Sequence, residues 1–225
     1  MSLWRDCHSP APRNHVDFRR SGVPLPAMQR ALTKIQPKLR LDDEMRFIAS
    51  WLQHPLKVGA VSPSGRALAR AIAAEIDPAV PGPIVELGPG TGPVTEALVA
   101  RGIAQERLVL VEYDPEFCTL LRRRFPAATV IEGDAYTLAD TLAGIVQEPL
   151  AAVVSCLPLM TRPLSVRVRL LSAAIRLLQQ GAPYVQFTYA MTAPIPSRQR
   201  RYRITSSPRI WKNLPPARVW VYRAD

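Results

Sequence analysis

The sequence predicts an α/β protein with a doubly wound sheet of seven strands, mostly parallel and closed by an antiparallel C-terminal hairpin. From residue 84 onward, short apolar runs that suit buried strands alternate with segments of helical periodicity. A glycine-rich turn follows the first of these runs. Residues 198–222 alternate basic and apolar side chains around Asn213-Leu214-Pro215-Pro216, a pattern typical of a hairpin.

Charge is unevenly distributed along the 225 residues. Residues 1–40 carry eight Lys/Arg and two Asp/Glu, residues 41–160 carry nine and fifteen, and residues 161–225 carry twelve and one. Basic ends around an acidic middle indicate a polyanionic partner, either nucleic acid or an anionic membrane. A solvated surface without any partner is the simpler alternative.

Cysteine spacing and apolar runs restrict the class of protein further. Cys7, Cys118 and Cys156 lack the paired spacing of a disulfide framework or a zinc site, so the sequence predicts no metal and a reducing, cytoplasmic setting. The longest apolar run, residues 151–160, is far shorter than the ~20 residues of a membrane-spanning helix. Any membrane contact is therefore expected to be peripheral.

The N-terminal part divides into two predicted segments before a catalytic domain over residues 61–225. Residues 1–27 lack periodicity and are expected to form a poorly ordered extension. Residues 28–60 are predicted to contain amphipathic, membrane-binding helices and a loop, since aliphatic and basic residues recur there at helical intervals: Leu32, Ile35, Leu39 and Arg30, Lys34, Lys38. A surface helix packed on the core has the same pattern.

The glycine-rich turn predicts a nucleotide-type cofactor loop. Gly88, Gly90 and Gly92 stand at alternate positions, where they let the backbone turn sharply and approach a ligand closely. A dinucleotide loop has the spacing G-x-G-x-x-G, but here the third glycine comes one residue early and Pro93 takes its place. The spacing favours S-adenosylmethionine over NAD, and a strand-to-helix turn without a ligand is the alternative.

A carboxylate ends the second predicted strand. Glu112 lies 24 positions beyond Gly88, where doubly wound folds bind ribose, because a carboxylate accepts hydrogen bonds from both neighbouring hydroxyls. The ring of Tyr113, which follows, could flank the adenine or pack in the ordinary way.

Two later strand ends supply the remaining candidate residues of the sheet edge. Asp134 and Ala135 follow the third strand, where the carboxylate could accept from the adenine amino group or cap the next turn. Ser155, Leu157 and Pro158 follow the fourth strand, at the edge where such folds bind ligands.

The loop before the glycine strand is rich in turn-forming residues. Lys57, Ser62 and Ser64 are candidates for contact with substrate or cofactor, because loops at this place often close over the cofactor. Ser64 is also a plausible N-cap for a helix over residues 66–75, and solvation explains the others equally well.

With these motifs in order, the chain from about Met28 onward resembles the bacterial phospholipid N-methyltransferases, the small, soluble type related to rRNA adenine dimethyltransferases. The segments that carry the resemblance are residues 47–52, 55–64, 85–92, 111–113, 186–189 and 213–220. The resemblance implies a class I methyltransferase fold that binds S-adenosylmethionine, with Glu86 near the methionine amino group. It also implies methylation of phosphatidylethanolamine to phosphatidylcholine at the inner face of an anionic membrane, bound through a basic N-terminal helix.

Substrate contacts are expected at the later strands. Tyr189 and Ser155 are the candidates for positioning the reacting groups, and Tyr189 and Tyr113 for cation–π contact with a methylated ammonium. Arg201 and Arg203 are candidates for binding the lipid phosphate. No residue stands out as a base for the proton that the amine must lose.

Two rival functions remain at the level of sequence. Adenine N6-methyltransferases place Asn or Asp, then Pro, then an aromatic residue after the fourth strand, to hold the amine and stack on the base. Ser155, Pro158 and Leu159 offer neither the polar group nor the ring, which makes nucleic acid the less favoured substrate. A non-catalytic membrane-binding module that keeps the cofactor loop is the other alternative.

Overall fold

The computed structural model of the chain describes residues 63–196 and 202–224, with side chains from residue 65 onward. The predicted segments 1–27 and 28–60 lie outside these ranges. Lys57, Ser62 and Arg201 lie outside them as well.

Strands and helices alternate as predicted through the first five strands. The strands are β1 (Ile84–Leu87), β2 (Leu108–Glu112), β3 (Thr129–Glu132), β4 (Ala152–Ser155), β5 (Tyr184–Thr188), β6 (Tyr202–Ser206) and β7 (Arg218–Ala224). The α-helices of the described residues are α1 (Pro63–Ala74), α2 (Pro93–Ala100), α3 (Pro115–Arg124), α4 (Leu138–Leu142) and α5 (Leu164–Leu177).

The seven strands form one sheet in the order β3-β2-β1-β4-β5-β7-β6. The first five strands are parallel, and β7 runs antiparallel to both of its neighbours, β5 and β6. The predicted seven-stranded, mostly parallel sheet is therefore confirmed. Strand order reverses between β1 and β4, and ligands of open α/β sheets bind at such a switch point, beyond the carboxyl ends of the strands.

Apolar side chains fill both faces of the sheet, which explains why the central strands are almost continuously hydrophobic. One face, here called the α2 face, packs against residues of α1, α2 and α3 and includes Ile84 and Val154. The other, the α5 face, packs against α4 and α5 and includes Val85 and Val153. Because side chains alternate along a strand, Glu86 belongs to the α2 face and Ser155 to the α5 face.

Three local features differ from the prediction. Helix α1 begins at Pro63, so Ser64 lies inside its first turn and is not the N-cap. Helix α4 has only five residues and no detectable periodicity in the sequence. Helix α5 ends before the Gly181 that the sequence offers as a helix stop, because Leu178 adopts an extended conformation that bridges to Leu150. Within the residues that the structure describes, no helix combines the length and apolar character that crossing a membrane requires.

Candidate active site

The glycine turn lies at the switch point, between the end of β1 and the start of α2. Its backbone is tied to the neighbouring strand, since the Gly88 amide donates to the Val111 carbonyl at 2.9 Å. The Gly90 amide donates to Glu112 Oε2, also at 2.9 Å. These bonds fix the turn against the end of β2, although Gly90 and Glu112 are 22 residues apart in sequence.

Open space lies beside Gly90, and packed side chains lie beside the other two glycines of the turn. Gly90 has a φ of +56°, and a Cβ added there would meet no atom of the described residues within 4 Å. An added Cβ at Gly92 would lie 2.7 Å from the Phe125 ring, and one at Gly88 would lie 2.9 Å from Leu157. The middle glycine therefore exposes bare backbone on the side where a ligand can approach.

Glu112 holds three backbone amides and keeps limited capacity for a ligand. Its Oε1 accepts from the amides of Tyr113 at 2.8 Å and Asp114 at 3.0 Å, and its Oε2 accepts from Gly90. The residue is buried, with 8% exposure. A carboxylate has about four acceptor positions, so this arrangement leaves room for a ribose hydroxyl at Oε2. Glu112 also has a structural role, clamping the turn, that the sequence did not reveal.

The predicted adenine contacts lie around the ends of β2 and β3. The Tyr113 side chain is 79% exposed. Asp134 Oδ1 accepts from the Tyr136 amide at 2.8 Å, which caps the short turn over Ala135–Thr137. Asp134 therefore does cap the next turn, as the alternative interpretation predicted. The cap uses only Oδ1, so the predicted contact between Asp134 and the adenine stays a prediction. Ala135 is buried against the α5 face.

Glu86 is fully buried between β1, α2 and β4. Its Oε2 accepts from Thr95 Oγ1 at 2.7 Å, and its Oε1 accepts from the Cys156 thiol at 3.8 Å. Burial raises the pKa of Glu86 to about 7, and the negative charge of Glu112 adds to this, while the bonds from Thr95 and Cys156 oppose it. Thr95 and Cys156 are site residues that sequence reasoning missed, because only the folded sheet brings them to Glu86.

The segment after β4 has little hydrogen-bonding capacity left. Ser155 is fully buried on the α5 face. The Leu157 carbonyl accepts from Gln186 Nε2 at 3.0 Å and from the Leu159 amide at 2.8 Å. The Pro158 carbonyl accepts from the side chain and the backbone amide of Thr161, at 2.8 and 3.0 Å. The Leu157 and Pro158 carbonyls are thus engaged within the protein, whereas the buried Ser155 hydroxyl has no hydrogen-bond partner of ordinary geometry among the described residues.

Tyr189 follows β5 and packs on the α2 face. Its ring meets that of Phe187 edge to face, with the centroids 5.6 Å apart. Burial raises the pKa of Tyr189, and an interaction with the Asn213 side chain lowers it in part. Since Ser155 faces the other side of the sheet, the structure does not bring the two predicted positioning residues, Tyr189 and Ser155, together. Arg203, on β6, pairs in register with Arg223 and is exposed.

The strand order, the glycine turn and the strand-end carboxylate define a class I methyltransferase fold. Two solved structures share this fold. The magnesium protoporphyrin IX methyltransferase ChlM of Synechocystis PCC 6803, solved with bound S-adenosylmethionine, is 10% identical with a TM-score of 0.55, covering 72% of this chain and 80% of that one. TrmN of Thermus thermophilus is 17% identical with a TM-score of 0.56, covering 70% and 48%.

Sequence relatives define the family. Residues 65–154 match the family model for ribosomal RNA adenine dimethylase. The chain is 30% identical over 151 residues to an ornithine lipid N-methyltransferase of Singulisphaera acidiphila, covering 66% of this chain and 79% of that protein. It is 39% identical over 94 residues to ribosomal RNA small subunit methyltransferase A of a Synechococcus species, covering 40% and 29%. The chain belongs to the same family as the Singulisphaera enzyme, and it is an S-adenosylmethionine-dependent methyltransferase.

Proposed function

We propose that the chain transfers methyl groups from S-adenosylmethionine to the amine of phosphatidylethanolamine and of its methylated derivatives, giving phosphatidylcholine. The observation that carries this proposal is the segment after β4, where the Leu157 and Pro158 carbonyls are already engaged and no aromatic ring is offered to an acceptor nucleobase. An adenine N6-methyltransferase needs a polar side chain, a carbonyl oxygen and an aromatic ring there. Here the Ser155 side chain is buried on the far face, the Leu157 and Pro158 carbonyls already accept two bonds each, and Leu159 has no ring.

The cofactor side of the site fits S-adenosylmethionine. Gly90 offers bare backbone beside open space, and Glu112 Oε2 offers an acceptor for a ribose hydroxyl. Asp134 and the exposed ring of Tyr113 are the residues that would hold the adenine. When bound, the cofactor supplies a methyl group on a sulfonium, which an amine lone pair can attack in line. The chain's contribution is then mainly to align that lone pair.

Tyr189 is the residue we assign to the substrate amine. The ring is fixed by Phe187 and by Asn213, so it keeps its orientation without a bound ligand. Because burial raises its pKa, the phenol stays neutral at physiological pH, and its face can attract a methylated ammonium. Arg203 is not assigned to the lipid phosphate, because the strand register places it level with the start of β5, at the end of the sheet opposite to the glycine turn.

Ornithine lipid is a second candidate substrate. The relative that favours it is the ornithine lipid N-methyltransferase of Singulisphaera acidiphila, of which the chain covers 79%. Both lipids present an amine on a headgroup at a membrane surface, so the same site chemistry serves either. We also propose that residues 28–60 bind anionic lipid at the cytoplasmic face of the membrane, as their basic amphipathic pattern suggests.

Methyl transfer from labelled S-adenosylmethionine tests the proposal. The purified chain is offered phosphatidylethanolamine in anionic vesicles, ornithine lipid in the same vesicles, and unmethylated small-subunit rRNA, side by side. We expect labelled phosphatidylethanolamine and no labelled RNA, with Glu112→Ala as the inactive control. If only ornithine lipid is labelled, the second candidate is the substrate. If only RNA is labelled, both lipid substrates are refuted.

A further inference from the structure

Large apolar side chains are exposed beside the candidate active site. Of the six that are exposed among the described residues, three lie in the two segments that follow β5 and β6: Met191, Trp211 and Leu214, at 69%, 75% and 80% exposure. Such side chains are costly to leave in water when they lie together, and a grouped set commonly marks an interaction surface. We call these three residues, with Arg209 and Lys212, the hairpin patch.

Arg209 contacts two members of the hairpin patch, Met191 and Trp211. Its guanidinium contacts the Met191 sulfur through Nη1 and lies 5.8 Å from the centre of the Trp211 ring. Its Nη2 donates to the carbonyls of Tyr189 and Pro216, both at 3.1 Å. One side chain thus connects the segment that leaves β5 with the segment that enters β7.

The hairpin patch adjoins the residue assigned to the substrate amine. Arg209 binds the Tyr189 carbonyl, and Asn213, which precedes Leu214, interacts with the Tyr189 side chain. A surface on which the patch rests would therefore lie next to the Tyr189 ring. For a substrate embedded in a membrane, this placement lets the headgroup reach the site without leaving the bilayer.

We propose that the hairpin patch docks the enzyme on an anionic bilayer, with Trp211 and Leu214 entering the headgroup region and Lys212 contacting lipid phosphates. This inference rests on the proposed lipid substrate. Trp is favoured at membrane interfaces, and each cation near an anionic surface adds attraction. No Asp or Glu occurs between Glu148 and Asp225, a stretch that holds twelve Lys/Arg, so the local field suits a polyanionic surface.

Two other occupants fit the hairpin patch less well. A second copy of the chain would bring the same cations face to face, with no acidic side chain in these segments to balance them. RNA would use the cations, but the aliphatic side chains of Met191 and Leu214 have no π-face on which a base could stack. A bilayer uses both the apolar and the basic members of the patch.

The test compares vesicle partitioning of the full chain with that of two patch variants and two matched controls. The double variant Trp211→Ser/Leu214→Ser removes the apolar members, and Lys212→Glu reverses the charge. The controls, Ile145→Ser and Arg176→Glu, remove one exposed apolar side chain and reverse one charge at positions that precede β4 and β5, at the opposite edge of the sheet. Vesicles contain phosphatidylglycerol and phosphatidylethanolamine, and labelled rRNA is titrated in parallel.

We expect the double variant to lose about tenfold or more in vesicle partitioning, and Lys212→Glu about fivefold, with the second loss disappearing in high salt. Both controls should partition like the unaltered chain, and all variants should keep their affinity for S-adenosylmethionine. Equal partitioning of the double variant and Ile145→Ser would overturn the proposal, as would a patch-dependent loss of RNA binding with vesicle binding intact.

A second measurement separates this proposal from the proposed function. The double variant should methylate short-chain, water-soluble phosphatidylethanolamine at the rate of the unaltered chain while failing on vesicles. Patch-dependent vesicle binding without methylation of any amine lipid would support the docking surface and refute the lipid activity. Loss of both activities in the double variant, with cofactor affinity retained, would overturn docking and place the patch in the catalytic site.

Discussion

Replacing Glu86 with Gln removes a buried ionisable group on β1 while keeping the size of the side chain. Burial raises the pKa of Glu86 from 4.5 to about 7, so the folded protein binds a proton more tightly than the unfolded chain does. The stability that this proton contributes is present below pH 4.5 and is lost as the pH rises through about 7. At ~1.4 kcal/mol per pKa unit, the loss amounts to about 3 kcal/mol at pH 8.

Glu86→Gln should abolish this pH dependence, because an amide has no proton to lose. The free energy of unfolding is measured by urea titration at pH 5, 6, 7 and 8 for both proteins. We expect the difference, variant minus unaltered chain, to rise by about 2.5 kcal/mol from pH 5 to pH 8, since part of the loss has already occurred at pH 5. Other titrating groups cancel in this difference, so only its slope matters.

Two further variants provide controls for Glu86→Gln. Glu132→Gln is the matched control, because it makes the same substitution at a carboxylate that is exposed at the end of β3. Thr95→Val removes the hydroxyl that donates to Glu86 at 2.7 Å and favours the ionised form, so it should destabilise the protein more at pH 8 than at pH 5. A flat difference for Glu86→Gln between pH 5 and pH 8 would refute the inferred proton affinity of this site.

Three other predictions concern the cofactor site and the membrane. Gly90→Ala and Gly102→Ala both place a side chain on a residue with a positive φ and no neighbouring atom of the described residues, and each should lower the free energy of unfolding by ~1–2 kcal/mol. Calorimetry should show loss of S-adenosylmethionine binding only for Gly90→Ala. Glu112→Ala leaves three backbone amides without their acceptor and should weaken cofactor affinity at least tenfold. Glu132→Ala is the control, because Glu132 pairs with Glu112 in register on β3 and its loss should not change the affinity. Equal cofactor affinities of the two variants would remove the ribose assignment. Deleting residues 1–40 should weaken vesicle flotation at least tenfold, and a truncated chain that floats like the full one would contradict the proposed N-terminal anchor.

The sequence was most informative where local composition alone determines the structure. Strand β2 ends at Glu112 as predicted, because the continuous apolar run Leu108–Val111 ends abruptly at this carboxylate. Helix α4 was missed because Leu138–Leu142 makes little more than one turn, too short for a periodic pattern. The start of α1 was misplaced because Ser62, Pro63 and Ser64 all favour a helix start.

Contacts between distant segments were beyond the reach of the sequence. The position of Glu112 at a strand end was predictable, but its bond to the Gly90 amide depends on how β1 and β2 pair. The burial of Glu86 against Cys156 depends in the same way on β4 lying beside β1. Ser155 and Tyr189 were assigned one role from their strand ends alone, yet strand alternation directs them to opposite faces of the sheet.

The insertion of β7 between β5 and β6 has a consequence for biosynthesis. Residues 218–224 form β7 and are synthesised after the other six strands. In the described sheet β7 pairs with both β5 and β6. While the ribosome still holds β7, β5 presents unpaired backbone and the apolar side chains that β7 will later cover. The nascent chain therefore carries an unpaired strand edge until β7 has left the ribosome, and a chaperone is most useful during that interval.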